Sequence, residues 1–441
     1  MKNLRNYRPS RRHVLTGGAM GLGGLLLRSL AIGLPPAWLS RPLSAFGQEE
    51  QLPDLQTLIL STSSAGDPIN ANCPGSYGEG FENNELLTPV DFMLGNTPTR
   101  AAEPWLQLPA SLRERLAVLH YRTGSAAHGE YKSTMAFHGA VKNAQGNGSE
   151  MFASAIADLS HARLGTLQSQ PLPLCKEILT VAGAPLQNLK PNELKALFAA
   201  EADSLADLRS LRDQALDDLY DELRVNGTRS QRRFLDQYVL SKSQARALGE
   251  NLGTLLESLP VDAEATDGPL DQVVTAVALA RLKVAPVITI NIPFGQDNHQ
   301  DSTLEVEAEQ TVSGTQAIAR LWQELEAANL TESVTFGTMN VFGRTLTRNG
   351  AGGRNHNRKH AVMVAFGPNI NPGVFGGVTS EYESSNIDPV TGASVGTGGV
   401  LAEETMSAMG KSLAVALGHD RETVDRRITG GQVIEAFVRS S

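Results

Sequence analysis

Between Phe342 and His360 the chain reads FGRTLTRNGAGGRNHNRKH, which sets Arg344, Arg348, Arg354, Arg358 and Lys359 beside His356 and His360 with no carboxylate among them. In a protein of net charge -9 such a glycine-rich loop is either solvated surface or the wall of a site for an anion or a metal. Arginines in that setting act as bidentate forks on an anion. His356 and His360 are four apart and share a face if the loop winds into a helix. A second pair, Asp297 and His299 in PFGQDNHQD, is two apart, so both side chains project to one side of extended backbone. A carboxylate and an imidazole so placed can ligate a metal, or serve as a base and its orienting group. The third candidate is GSAAHGEYKSTMAFHG, with His128 and His138. No hydroxyl or thiol stands out as a nucleophile.

Strands must hold these groups. LQTLILS (55–61), RLAVLHY (115–121), LKVAPVITINI (282–292), SVTFGTM (333–339) and HAVMVAFG (360–367) are short apolar runs that read as buried strands, and each candidate group lies in a loop adjoining one of them. A helix is expected at TQAIARLWQELEAANL (315–330). Strands alternating with helices predict a mostly parallel sheet covered on both faces, with its sites beyond the carboxyl ends of the strands. Residues 191–260 are dense in charge, and Leu205, Leu208, Leu211, Leu216, Leu219 and Leu223 fall near helical spacing. They predict a helical cap or insertion. No P-loop or dinucleotide fingerprint is found.

The first 47 residues read differently. A cationic start, the twin arginine Arg11 and Arg12, a glycine-diluted apolar stretch and Ala45-Phe46-Gly47 before a polar QEE have the layout of a twin-arginine export signal. Glycines between Gly17 and Gly24, with Arg28 beyond them, make the stretch a poor membrane span. The expected mature protein is periplasmic or extracellular, with no stable membrane span once the signal is cleaved. Losing seven Lys or Arg and no acid would take its charge from -9 to -16, which argues against nucleic acid as a partner. Cys73 and Cys175 offer one disulfide to an oxidising compartment.

Three of these segments, in order, resemble a family of twin-arginine-exported bacterial proteins of unknown function, placed with the alkaline phosphatase and sulfatase superfamily. GQDNH retains Asp297 and His299 at the family's Gly-Phe-Asp-Thr-His position, NVFGRT retains Phe342 to Thr345 at its Glu-Phe-Gly-Arg-Thr, and NGAGGRNH retains His356 at its final Asp-His. His128 fits the loop histidine after the second strand. SSAGDPIN fits the first element loosely, with Asp67 as its acid. The resemblance implies a three-layer α/β sandwich of alkaline phosphatase type over residues 48–441. It also implies a site at the carboxyl edge of the sheet, lined in addition by Asn355 and His360.

Two acids of that family pattern are neutral here, Val341 and Asn355. Two divalent cations would then face a cationic cluster with only Asp67 and Asp297 to balance them, so one divalent metal at Asp297, His299 and His356, or none, is expected. Arg344 and Arg354 are the expected anion contacts. The lost acids favour capture of an anionic small molecule or acidic glycan without efficient turnover; the alternative is a metal-dependent hydrolase of sulfate or phosphate esters.

Overall fold

The structure is a computed structural model that describes residues 54–77, 81–192 and 267–439, with isolated positions between 214 and 228. The expected signal (1–47) and nearly all of the expected helical cap (191–260) lie outside the described residues.

Seven strands form the central sheet: β1 Thr57–Ser63, β2 Ala117–Tyr121, β3 Leu172–Pro173, β4 Val287–Ile290, β5 Val334–Asn340, β6 Ala361–Phe366 and β7 Gly373–Phe375, in spatial order β7-β2-β6-β5-β1-β4-β3. Parallel pairing sets Leu58 opposite Val287 and Thr57 opposite Val334. β6 alone runs against its neighbours, with Ala365 opposite Gly337 in β5 and Ala361 opposite Tyr121 in β2. The five strands expected from apolar runs are all present; β3 and β7 are two and three residues long and carry no comparable run.

The runs are continuous rather than alternating because both faces of the sheet are covered. All seven residues of β1 are buried; Ile59 packs into one apolar cluster while Leu58 and Leu60 pack into the other. Helices α2 (Pro269–Arg281) and α3 (Glu305–Ala327) supply Val273, Val277, Ile318 and Leu321 to the first cluster. Helices α1 (Phe152–Leu164) and α4 (Thr405–Ala416) supply Phe152, Ile156, Met409 and Leu413 to the second. The chain is therefore an α/β protein with a large, mostly parallel sheet between helices.

Helix α3 begins at Glu305, ten residues before the apolar periodicity starts at 315. Its first turns bury polar groups, Glu307, Thr311 and Thr315, rather than an apolar stripe. The Asp301 carboxylate, accepting from the backbone of Val306 and Glu307 at 3.4 and 3.0 Å, satisfies its leading N–H groups.

The reversal of β6 matters for the site. Its amino end lies at the same edge as the carboxyl ends of β1, β2, β4 and β5. The loops after those four strands, the one after β5 leading directly into β6, therefore meet at one edge.

Candidate metal centre

Four loops contribute. The turn after β1 carries Ser64 to Asp67; the loop after β2 carries His128; the loop after β4 carries Asp297 and His299; the segment after β5 carries Phe342 and Arg344. A two-stranded ribbon pairs Arg344 with His356 and so folds the glycine-rich stretch back onto the site. Two glycines permit the approach. A Cβ on Gly66, at φ +68°, would lie 1.9 Å from the Phe342 ring, and one on Gly353 would lie 2.2 Å from the carbonyl oxygen of Asn298.

One ligand atom each from His128, Asp297 and His356 falls within 4.8 Å of the other two. His128 Nδ1 sits 2.8 Å from the Ser64 carbonyl and His356 Nδ1 sits 2.6 Å from the Ala126 carbonyl. A carbonyl only accepts, so both Nδ1 atoms carry the proton. A neutral ring so held keeps its lone pair on Nε2. His128 Nε2 faces Asp297 Oδ2 at 3.3 Å, and His356 Nε2 is buried with no hydrogen-bond partner among the described residues. Burial, and then the nearby Arg344 charge, lower the pKa of His356 despite its bond to Ala126, so its ring is neutral at pH 7. With Asp297 the two histidines form a group that could hold a metal ion. Backbone carbonyls fixing the Nδ1 tautomers are the usual support of histidine ligands.

Arg344 is fully buried, and its five N–H groups all have protein acceptors. Nε donates to the Gly66 carbonyl (2.5 Å), Nη2 to the Ala65 carbonyl (2.6 Å) and to Asp297 Oδ1 (3.0 Å), and Nη1 to His299 Nδ1 (2.9 Å) and the Arg354 carbonyl (3.4 Å). Partial burial pushes the Asp297 carboxyl up, but the charge and hydrogen bond of Arg344 hold it below the ordinary carboxylate value. Asp297 is therefore ionised, with Oδ1 held by Arg344 and Oδ2 turned to His128. Because Arg344 donates to His299 Nδ1, the proton of neutral His299 sits on Nε2. The group that could hold a metal ion therefore contains His128, with Asp297 and His356, where the sequence pointed to His299. The His299 ring stands edge-on to His356 at 4.5 Å.

The other expected residues are placed as follows. Arg354 is fully buried in a paired contact with fully buried Glu307, Nε to Oε2 at 2.7 Å and Nη2 to Oε1 at 3.1 Å, and also donates to the carbonyls of Thr345 and Glu82. Its guanidinium is closed to an outside anion, and with Arg344 likewise engaged neither arginine is a free fork. His360 is not on the face of His356: the segment is a ribbon, not a helix, and His360 lies behind the site on Asn70 and His120. Asn355 is exposed, its side chain bonded to Asn349. Asp67 is buried, bonded to Ser63 Oγ at 3.3 Å, and burial, with Glu177 nearby, pushes its pKa up to about 7. Val341 is buried among apolar side chains. Cys73 and Cys175 are both free and buried. Arg348 approaches Glu85, and Lys359 is paired with Glu383. Sequence reasoning missed Ser64 and Ala126, whose carbonyls set the tautomers, and Asn70; backbone acceptors leave no mark in residue type.

Residues 199–394 match the family model "Protein of unknown function (DUF1501)", a stretch that includes Asp297, Arg344 and His356. No relative among curated proteins matches. The chain is similar in structure to Ps i-CgsB, at 15% identity and a TM-score of 0.22, over 38% of this chain and 37% of that one, so this alignment spans little more than a third of the neighbour's length. It is also similar to Ps i-CgsB in complex with k-i-k-neocarrahexaose, at 11% identity and a TM-score of 0.30, over 86% of this chain and 75% of that one. No helix of the described residues is long and apolar enough to cross a membrane.

Proposed function

We propose that the protein binds one divalent cation at His128, Asp297 and His356 and acts, after twin-arginine export to the periplasm or beyond, as a hydrolase of sulfate or phosphate esters, with the alkaline phosphatase-type sandwich as its scaffold. One observation carries this reading: the Nε2 atoms of His128 and His356 converge with Asp297 Oδ2, while both Nδ1–H groups and Arg344 are directed to other acceptors. Three protein ligands of N and O type suit a catalytic first-row cation with an open coordination position. When bound, the cation supplies Lewis acidity toward an ester oxygen and water.

The chain's own groups divide the remaining work. Arg344 keeps Asp297 ionised and turned toward His128, and fixes His299 with its Nε2–H as the proton held at the rim of the site. One carboxylate against a divalent cation leaves the centre net positive, which selects an anionic substrate, either a small molecule or an acidic glycan. A specific observation supports capture without efficient turnover as the second reading: the hydroxyls of Ser63 and Ser64 are engaged by Asp67 and Glu177, so neither faces the cluster as a nucleophile.

The test is metal content of protein from its native compartment, together with turnover of chromogenic sulfate and phosphate esters with and without added zinc, manganese or calcium. Metal-dependent turnover lost in Asp297→Asn supports hydrolysis. Stoichiometric metal with sulfate or phosphate binding but no turnover supports capture. Failure to bind any divalent cation sinks both.

A further inference from the structure

Behind the site a buried relay starts at Asn70, in the short turn Pro68–Ala71 after β1. Asn70 is fully buried and grips the backbone of Arg344 from both sides: Oδ1 accepts from the Arg344 N–H at 2.9 Å and Nδ2 donates to the Arg344 carbonyl at 2.8 Å. The donor character of the backbone N–H fixes which end of the amide is oxygen. Nδ2 also lies 2.9 Å from His360 Nδ1, so that nitrogen must accept, and the His360 proton must sit on Nε2. His360 Nε2 in turn lies 2.9 Å from His120 Nδ1, so the latter accepts and the His120 proton sits on its own Nε2. There the chain ends, for His120 Nε2 is buried with no partner among the described residues. Both rings are fully buried.

We propose that Asn70 is a positioning residue for the metal centre, acting through the Arg344 backbone, and that the His360–His120 pair locks its amide in the orientation this requires. If the amide flipped, its NH2 would oppose the Arg344 N–H and its oxygen would oppose both the Arg344 carbonyl and the His360 Nδ1 lone pair. Three favourable contacts would become repulsive at once. The lock thus holds Arg344 in register, and Arg344 holds Asp297 and His299. This deepens the reading under Proposed function and rests on it for its metal arm only.

The test uses the full chain at pH 7. Long-range 15N–1H spectra of the wild type, with assignments from His360→Gln, should show His360 and His120 both neutral and both protonated on Nε2. Either ring protonated on Nδ1, or charged, overturns the lock. Asn70→Asp keeps the shape but removes the NH2 donor, so both rings should invert to the Nδ1–H tautomer; unchanged spectra overturn it. Titration with Co2+, followed by its visible absorption, should show affinity about tenfold weaker in Asn70→Asp, the low end for a partner one shell removed from the ligands. Unchanged affinity overturns the positioning role. A wild type that binds no Co2+ sinks the metal reading and the positioning role with it, while the spectra still decide the lock.

Discussion

Glu307→Gln tests whether Arg354 is a structural strut or an anion fork. In the wild type Glu307 Oε2 accepts from Arg354 Nε and Asn298 Nδ2, both at 2.7 Å, and Oε1 accepts from Arg354 Nη2 at 3.1 Å. Both charged side chains have zero exposure. Glutamine removes the countercharge and presents an NH2 where a donor already points. Arg354 is then a buried cation with only neutral acceptors, the one glutamine oxygen and the carbonyls of Thr345 and Glu82. Breaking a buried pair on one side costs about 3–5 kcal/mol. Urea unfolding at unchanged m should show this as a lower midpoint. The double variant Glu307→Leu with Arg354→Met leaves no orphan charge and should recover at least about 2 kcal/mol relative to the sum of the singles. A loss below about 1 kcal/mol in Glu307→Gln, or additivity in the cycle, would refute the strut and return Arg354 to the list of groups open to a ligand.

Three further outcomes are expected. His356→Ala should weaken Co2+ binding by more than about 100-fold, more than the loss of a supporting residue costs, with urea stability changed far less; equal affinity would remove His356 from the centre. Asp67, with its pKa raised from 3.8 to about 7 by burial, favours the protonated form when folded, so its contribution to stability is fully present below about pH 4 and is lost as pH rises to 7. Asp67→Asn should flatten that fall, a difference of up to roughly 4 kcal/mol between pH 4 and 8, and parallel pH profiles of variant and wild type would contradict it. His120 and His419, lowered to about 4 by burial, act in the opposite sense: their stability is present above pH 6.5 and lost as pH falls toward 4. Replacing both Arg11 and Arg12 with Lys should hold the precursor in the cytoplasm, read by fractionation and immunoblot; normal export would sink the proposed route.

The sheet was legible because its central strands are buried on both faces, a condition that writes itself as unbroken apolar runs such as TLILSTS and AVMVAF. The start of α3 was not, because Glu307 and Thr311 are buried for polar reasons. At the site, Asp297, His128 and His356 were readable as types beside strand ends, but the division of labour among them was not. His299 and His128 are equivalent on paper; only the Arg344 N–H on one ring and the Ser64 carbonyl on the other decide which offers a free lone pair. Those partners lie 45 and 64 positions away in the chain, and one is main chain, so no local pattern encodes them.

The same reasoning explains why the cationic loop misled. Five cations without a carboxylate suggest an anion only if the countercharges are absent, and here they come from distant segments: Glu307 from α3 for Arg354, Asp297 for Arg344, Glu383 for Lys359. Three of the loop's five cations are paired in this way, Arg348 approaches Glu85, Arg358 is exposed, and His356 keeps a buried Nε2 without a hydrogen-bond partner among the described residues. The glycine-rich stretch is thus a clamp that seats one histidine against Asp297 and His128. Neither Arg344 nor Arg354 is open to an anion, because both are buried and their guanidinium groups are held by protein acceptors.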